Sequence, residues 1–122
     1  MLIKMAAIAA LGAPAVAVIA FEIALNATSL FNHANLHLPL ALDRILRRVV
    51  VTPDMHRVHH SIHSHEYNRN FGFNFPWWDR LFGSYTAQPA DGHEGMTIGL
   101  PRFREPETQG LAALLAQPLK PL

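Results

Sequence analysis

The chain has 122 residues, enough for one domain, and a net charge of +1 with histidine neutral. Half of it is hydrophobic and only 16% is charged, with a mean hydropathy of +0.12, a balance that points toward a membrane. The small net charge removes the electrostatic case for nucleic acid. The absence of cysteine excludes disulfides, thiolate metal sites and thiol nucleophiles.

Residues 1–36 are expected to form a transmembrane helical segment. Lys4 and Glu22 are the only charges before His33, and Met5 to Phe21 carry none. A bilayer takes about 20 such residues. Gly12 and Pro14 are expected to kink the helix, which membrane helices tolerate. Glu22 and Asn26, four apart, make a polar stripe that should face protein or water rather than lipid. The rival reading is a secretory signal peptide, with Lys4, an apolar core and then the small residues Ala15 and Ala17. Arg44, Arg47, Arg48, Arg57 and Arg69 all follow the segment, which predicts a cytoplasmic C-terminal side.

His33 and His37 are four apart and would share a face if the helix ran on, before Pro39 interrupts it. Residues 37–86 read as a histidine-rich cap. In residues 40–51, Leu42, Ile45, Leu46, Val49 and Val50 form an apolar stripe at helical spacing, with Asp43, Arg44, Arg47 and Arg48 opposite. That pattern suits a packed amphipathic helix or one lying at the membrane interface, with its arginines near phosphates.

Thr52-Pro53-Asp54 is a helix start, predicting helix from Pro53 to about His60. Five of the eight histidines follow, between His56 and His65. On a helix, His56, His59 and His60 stand at i, i+3 and i+4, so three imidazoles share one face and can grip one metal or split between two. His63 and His65 do not extend that face, and His93 lies in a Gly/Pro-rich tail. A site of imidazoles without thiolate suits zinc, iron or copper. The His-Glu-x-x-His pattern of zinc hydrolases is absent.

Tyr67 to Tyr85 holds both tryptophans, both tyrosines and four of the seven phenylalanines. Phe71, Phe73, Trp77 and Trp78 are the candidates for seating an apolar substrate or meeting the interface; an aromatic core is the plainer alternative. Asp79-Arg80 is expected to form an internal polar tie, and Gly83 to stop a helix. Residues 87–122 read as a surface tail, with a short helix expected over 111–117.

The run His56-Arg57-Val58-His59-His60, with Asn68-Arg69-Asn70-Phe71-Gly72, Trp77-Trp78-Asp79-Arg80-Leu81-Phe82-Gly83-Ser84-Tyr85, Phe31-Asn32-His33-Ala34-Asn35 and Val51-Thr52-Pro53-Asp54-Met55, resembles the C-terminal part of the fatty acid hydroxylase/sterol desaturase superfamily. The likeness is greatest to bacterial sterol desaturase family proteins. It implies an all-α fold: an integral membrane helix, or helical hairpin, followed by a cytoplasmic helical cap carrying a histidine metal site.

By position, the resemblance carries metal ligation to His56, His59, His60 and His33, with His37 where some members have a further histidine. It implies a di-iron cofactor, with zinc as the metal a purified form can carry. It also implies a lipid substrate (fatty acyl, sterol or ether lipid), an external electron donor and a bacterial inner-membrane location. Members carry two earlier histidine boxes, and neither occurs before His33. The chain is therefore expected to be the C-terminal half of such an oxygenase, inactive alone and completed by the missing N-terminal half. The alternative is a non-catalytic, membrane-anchored or secreted histidine-rich metal-binding module.

Overall fold

The computed structural model describes residues 2–120. Among them every regular element is helical, apart from one isolated antiparallel bridge between Ser61 and Ile98. The apolar N-terminal segment is two helices rather than one kinked helix: α1 (Leu2–Leu11) and α2 (Ala15–Asn32). Gly12 takes a left-handed φ of +61°, which glycine adopts freely, and Pro14 gives up its amide at the N-cap of α2. The chain turns back there, and Lys4 Nζ reaches Glu22 Oε1 at 2.6 Å. The polar stripe thus finds protein: Glu22 pairs with Lys4, and Asn26 Nδ2 donates to the Glu22 carbonyl at 2.7 Å.

The 18 residues of α2 rise about 27 Å, close to the hydrocarbon thickness of a bilayer. It is long and apolar enough to cross a membrane, and its apolar side chains face outward. It ends at Asn32 and does not run on to His37, so His33 and His37 do not share a helical face. Residues 35–39 form a linker without regular structure.

The second helix expected, over 40–51, is shorter: α3 spans Leu40–Leu46 and closes in a turn. The reason lies in Arg47. Its side chain is buried, ion-paired with Asp43 and donating from Nη1 to the Ala87 carbonyl at 2.7 Å. It holds the cap together rather than facing phosphates. The apolar side of α3 stays uncovered, with Leu40, Leu42, Ile45 and Val49 exposed.

Four elements complete the chain to residue 95: α4 (Pro53–His59), α5 (Ser64–Tyr67), α6 (Trp77–Phe82) and α7 (Gly92–Gly95). The Thr52 hydroxyl caps α4 by accepting from the Met55 N–H, and Pro53 sits where no amide partner is needed. Val51, Met55 and Val58 are its fully buried apolar side, and α4 packs against α2. Gly83, φ +71°, ends α6 in the left-handed conformation that glycine favours. In the tail, α8 covers Leu111–Ala116.

Candidate metal centre

Two backbone straps set α4 against the end of α2. Asn74 takes the first role: its carbonyl accepts from Val51 N–H at 3.0 Å, and its Oδ1 accepts from the Thr28 hydroxyl at 3.0 Å. Beside it, the Phe73 carbonyl accepts from Asn32 Nδ2 at 2.9 Å. Segment 73–74 therefore clamps the foot of α2 to the start of α4.

The second strap is Asn70, fully buried and left-handed at φ +50°. Asparagine tolerates that conformation better than most residues. Its Nδ2 donates to the Met55 and Thr86 carbonyls, both at 2.8 Å, and its Oδ1 accepts from Thr86 N–H at 2.8 Å. The residue before His56 is thus held by side-chain hydrogen bonds with no freedom to slide.

The loop carrying Asn70 is in turn fixed by Asp79. This buried carboxylate accepts from Phe71 N–H (2.7 Å), Gly72 N–H (2.8 Å) and the Ser84 hydroxyl (2.7 Å). Arg80 points elsewhere: Nη2 donates to the Arg47 carbonyl at 3.0 Å, and the guanidinium lies 4.2 Å above the Tyr85 ring. The tie expected between Asp79 and Arg80 is therefore two separate ties, since adjacent helical residues point apart.

With α2 and α4 so placed, three histidines converge. His33, the C-cap of α2, puts Nε2 3.2 Å from His56 Nε2, which is also 3.2 Å from His60 Nε2. One nitrogen from each lies within 4.8 Å of the others. In a tetrahedral shell with metal–nitrogen bonds of ~2.0–2.1 Å, two imidazole nitrogens stand about 3.3 Å apart. Two edges of the cluster have that length.

The tautomers follow from the outer contacts. His33 Nδ1 lies 2.9 Å from the Ser29 carbonyl, which can only accept, so Nδ1 carries the proton and Nε2 keeps its lone pair. His59 is set the same way, with Nδ1 donating to the Arg69 carbonyl at 3.0 Å. His56 is buried, and its Nδ1 has no partner. A neutral His56 thus has either an idle buried lone pair at Nδ1, with Nε2–H donating to a neighbour, or facing lone pairs at Nε2 together with an unpaired buried Nδ1–H. A cation between the three Nε2 atoms removes the second conflict, and the donor set fits one.

Burial pushes the His56 pKa down to about 4, and the neighbouring His60, His33 and His59 add to the fall against an opposing pull from Asp79. Burial also lowers His60, helped by His59 and His33. Both are thereby kept in the neutral form that ligates.

His59 stands beside the convergent three, its ring stacked at 5.6 Å on His56 and 5.7 Å edge-on from Phe71. His37 lies apart, exposed in the linker. Phe73 covers the cluster from one side, 6.4 Å from both His33 and His56. Trp77 and Trp78 do not approach it: they are exposed on α6, and Trp77 Nε1 donates to the Arg48 carbonyl at 2.8 Å. His63 pairs with Asp91 at 2.7 Å and stacks on His65. His93 meets Arg57, which pairs with Asp54 at 2.7 Å.

His60 separates two cavities. One, of about 460 Å³, is lined by Asn32, His33, Asn35, Pro53 and Arg57. The other, of about 470 Å³, is half open, lies against His59, His60 and Tyr67 and is bordered by tail residues.

The sequence predicts an internal tie for Asp79, and Asn32 and Asn70 stand in the runs that carry the resemblance, but it does not identify their roles as supports. Spacing alone gives Asn70 and Asn32 no partner, although asparagine tolerates the left-handed conformation found at Asn70. Glu66 is also buried. Burial alone would raise its pKa, but the Ser61 hydroxyl and the Ala90 N–H outweigh that and hold it below the usual value.

A family model described as fatty acid hydroxylase matches residues 1–84. No solved structure matches the chain.

Proposed function

The chain belongs to the fatty acid hydroxylase family, and from that premise we propose that it is the C-terminal, histidine-bearing part of a membrane di-iron oxygenase that hydroxylates or desaturates a lipid with dioxygen. The observation that carries the reading is the convergence of His33, His56 and His60 Nε2 where a membrane-length helix meets the cap. Iron bound there supplies the dioxygen-dependent oxidation of unactivated C–H bonds, which amino-acid side chains cannot perform.

The chain's own residues hold and flank the centre. His33, His56 and His60 offer three nitrogens, and Ser29 and Arg69 orient His33 and His59 through their carbonyls. Phe71 packs beside His59, and Phe73 beside His33 and His56. In this reading His59 serves a second metal, with the remaining ligands contributed by an N-terminal half carrying further histidines. His37 is a candidate to join them if the linker moves. The electron donor is external. The exposed apolar side chains of α3 and α6 lie at the membrane interface, with the histidine cluster on the cytoplasmic side of a bacterial inner membrane.

The decisive assay is isotopically heavy dioxygen fed to cells with and without the chain, followed by mass spectrometry of extracted lipid. Chain-dependent heavy oxygen in a hydroxylated lipid, or a chain-dependent new double bond, supports the reading. Metal-loaded chain in the membrane with an unchanged lipid profile, in cells that also supply a histidine-bearing N-terminal half, overturns it. Sidedness is tested in the cysteine-free background with Ser64→Cys, which is exposed at the start of α5. Labelling by an impermeant maleimide from the cytoplasmic face alone is expected.

One feature favours a second reading. Three imidazoles make up the protein share of a single zinc centre with one open position. A non-redox metal-binding module would then retain zinc tightly and leave lipid untouched.

A further inference from the structure

The histidine segment has a wall that comes from outside the family-matched residues. Ile62 N–H donates to the Thr97 carbonyl at 3.0 Å, and Gly99 N–H donates to the His60 carbonyl at 2.8 Å. These bonds flank the Ser61–Ile98 bridge and set the tail in register with His60. The chain then bends sharply: Gly99 has φ +100° and Phe103 has φ +61°. A phenylalanine held in that region is strained, and such residues persist where surrounding structure dictates them. Here Arg104 Nη1 donates to the Leu100 carbonyl at 2.9 Å, and Gln109 Nε2 donates to the Phe103 carbonyl. The loop is built, not draped.

Its inner side, with Leu100, Pro101, Arg102 and Phe103, borders a half-open cavity of about 470 Å³ whose other wall is His59, His60, Ser61 and Tyr67. That size is within the ~300–1,000 Å³ of small-molecule pockets. One wall is imidazole and the other largely apolar. The second cavity beside His60 has Asn32, Asn35 and Arg57 in its lining. An alkyl chain there would take those polar groups out of water without partners, a costly exchange. Each cavity has one arginine at its edge, Arg102 in the first and Arg57 in the second, and the two sides of His60 differ in the asparagines Asn32 and Asn35, which only the second has.

We propose that the cavity under residues 99–103 is a chain-end subsite. It takes the aliphatic end of the lipid whose reacting carbon lies at the histidine cluster, and Leu100 and Phe103 limit the length of that end. The inference rests on the lipid-oxidation reading above for its substrate, but binding can be tested without metal or dioxygen.

The probe is hexadecanoic acid bearing a terminal diazirine, photolysed with the full chain in phosphatidylcholine vesicles, with adducts mapped by peptide mass spectrometry. Adducts are expected on residues 99–103 and Tyr67, and excess unlabelled hexadecanoic acid should suppress them. Leu100→Trp, which fills the space, should lower them roughly tenfold, and Phe103→Ala should admit a longer probe that the parent chain excludes. Wild-type helicity and melting in both variants separate loss of the subsite from loss of the fold, and a misfolded Leu100→Trp leaves Phe103→Ala to decide.

Adducts confined to exposed apolar residues such as Leu42 and Leu81, adducts insensitive to competitor, or an unchanged length limit in Phe103→Ala each overturn the inference. Competed adducts without heavy oxygen in lipid would leave the subsite standing and sink the oxidation reading. Lipid oxidation without adducts at 99–103 would do the reverse.

Discussion

The Nε2 atoms of His33 and His56 lie 3.2 Å apart although 23 residues separate them in the chain. One ends the membrane-length helix and the other belongs to the cap helix, so the candidate metal centre is also the joint between the two. A cation there would cross-link α2 to α4 and couple metal binding to the stability of the cap.

That coupling gives the first prediction. His33→Ala, His56→Ala or His60→Ala should each weaken zinc or cobalt binding by more than the ~100-fold upper range found when only an outer partner is lost. His93→Ala, remote from the cluster, should bind as the parent does. Competition with a chromophoric chelator measures this, and chelator should lower the melting temperature of the parent but not of the triple variant. Equal affinity in His56→Ala would remove the cluster from consideration.

Asn70 should act on the metal through Met55. Asn70→Asp keeps the oxygen that accepts from Thr86 N–H but loses both donations, including the one that fixes the Met55 carbonyl. Metal affinity is expected to fall about 10-fold. Asn70→Gly keeps the left-handed backbone without strain and should fall at least as far, which separates the hydrogen bonds from the conformation.

Asp79 and Gly72 form one packed unit. Asp79→Ala leaves the buried Gly72 amide, and the part-buried Phe71 amide and Ser84 hydroxyl, without their acceptor, and a loss of about 1–3 kcal/mol is expected, mostly from the buried amide. A Cβ on Gly72 would sit 2.6 Å from the Phe75 carbonyl oxygen and 2.7 Å from Asp79 Oδ2, so Gly72→Ala should cost about 1–3 kcal/mol through overpacking. Chemical denaturation in detergent reads both. A neutral Gly72→Ala would mean the loop can shift without cost.

The contact between His63 and Asp91 should depend on pH. The Asp91 hydrogen bond raises the His63 pKa above its ordinary value; desolvation opposes it, and the charges of Asp91 and Glu66 add to the rise. A raised folded-state pKa stabilises the protonated, paired form. The contribution is therefore complete below about 6.5 and is lost as pH rises through the higher folded value. Imidazole NMR should show His63 titrating above the ordinary range, and Asp91→Asn should return it downward. Hydrogen exchange near Asp91 should quicken over the same interval in the parent chain only.

Much of the architecture was legible because its signals are local. Thr52-Pro53-Asp54 announces α4 by capping chemistry, and the apolar run announces a membrane-length helix. The histidine spacing put His56 and His60 on one face. What local signals could not give was the turn at Gly12, since a Gly-Ala-Pro sequence suits a kink as well as a reversal. Nor could they give the burial of Arg47, which depends on Asp43 and on the Ala87 carbonyl forty residues away. The roles of Asn70 and Asp79 are likewise tertiary: each binds backbone groups from several segments, and spacing along the chain encodes none of that.

The tail meets the histidine segment at residues 60–62 and 97–99 through main-chain atoms. Backbone pairing is indifferent to side-chain identity, apart from proline and the special demand of Gly99. Leu100, Pro101 and Phe103 can therefore be exchanged during divergence without disturbing the neighbouring ligands. A histidine cluster fixed by one stretch of sequence, facing a replaceable wall supplied by another, lets the shape of the adjoining cavity drift while the cluster stays constant.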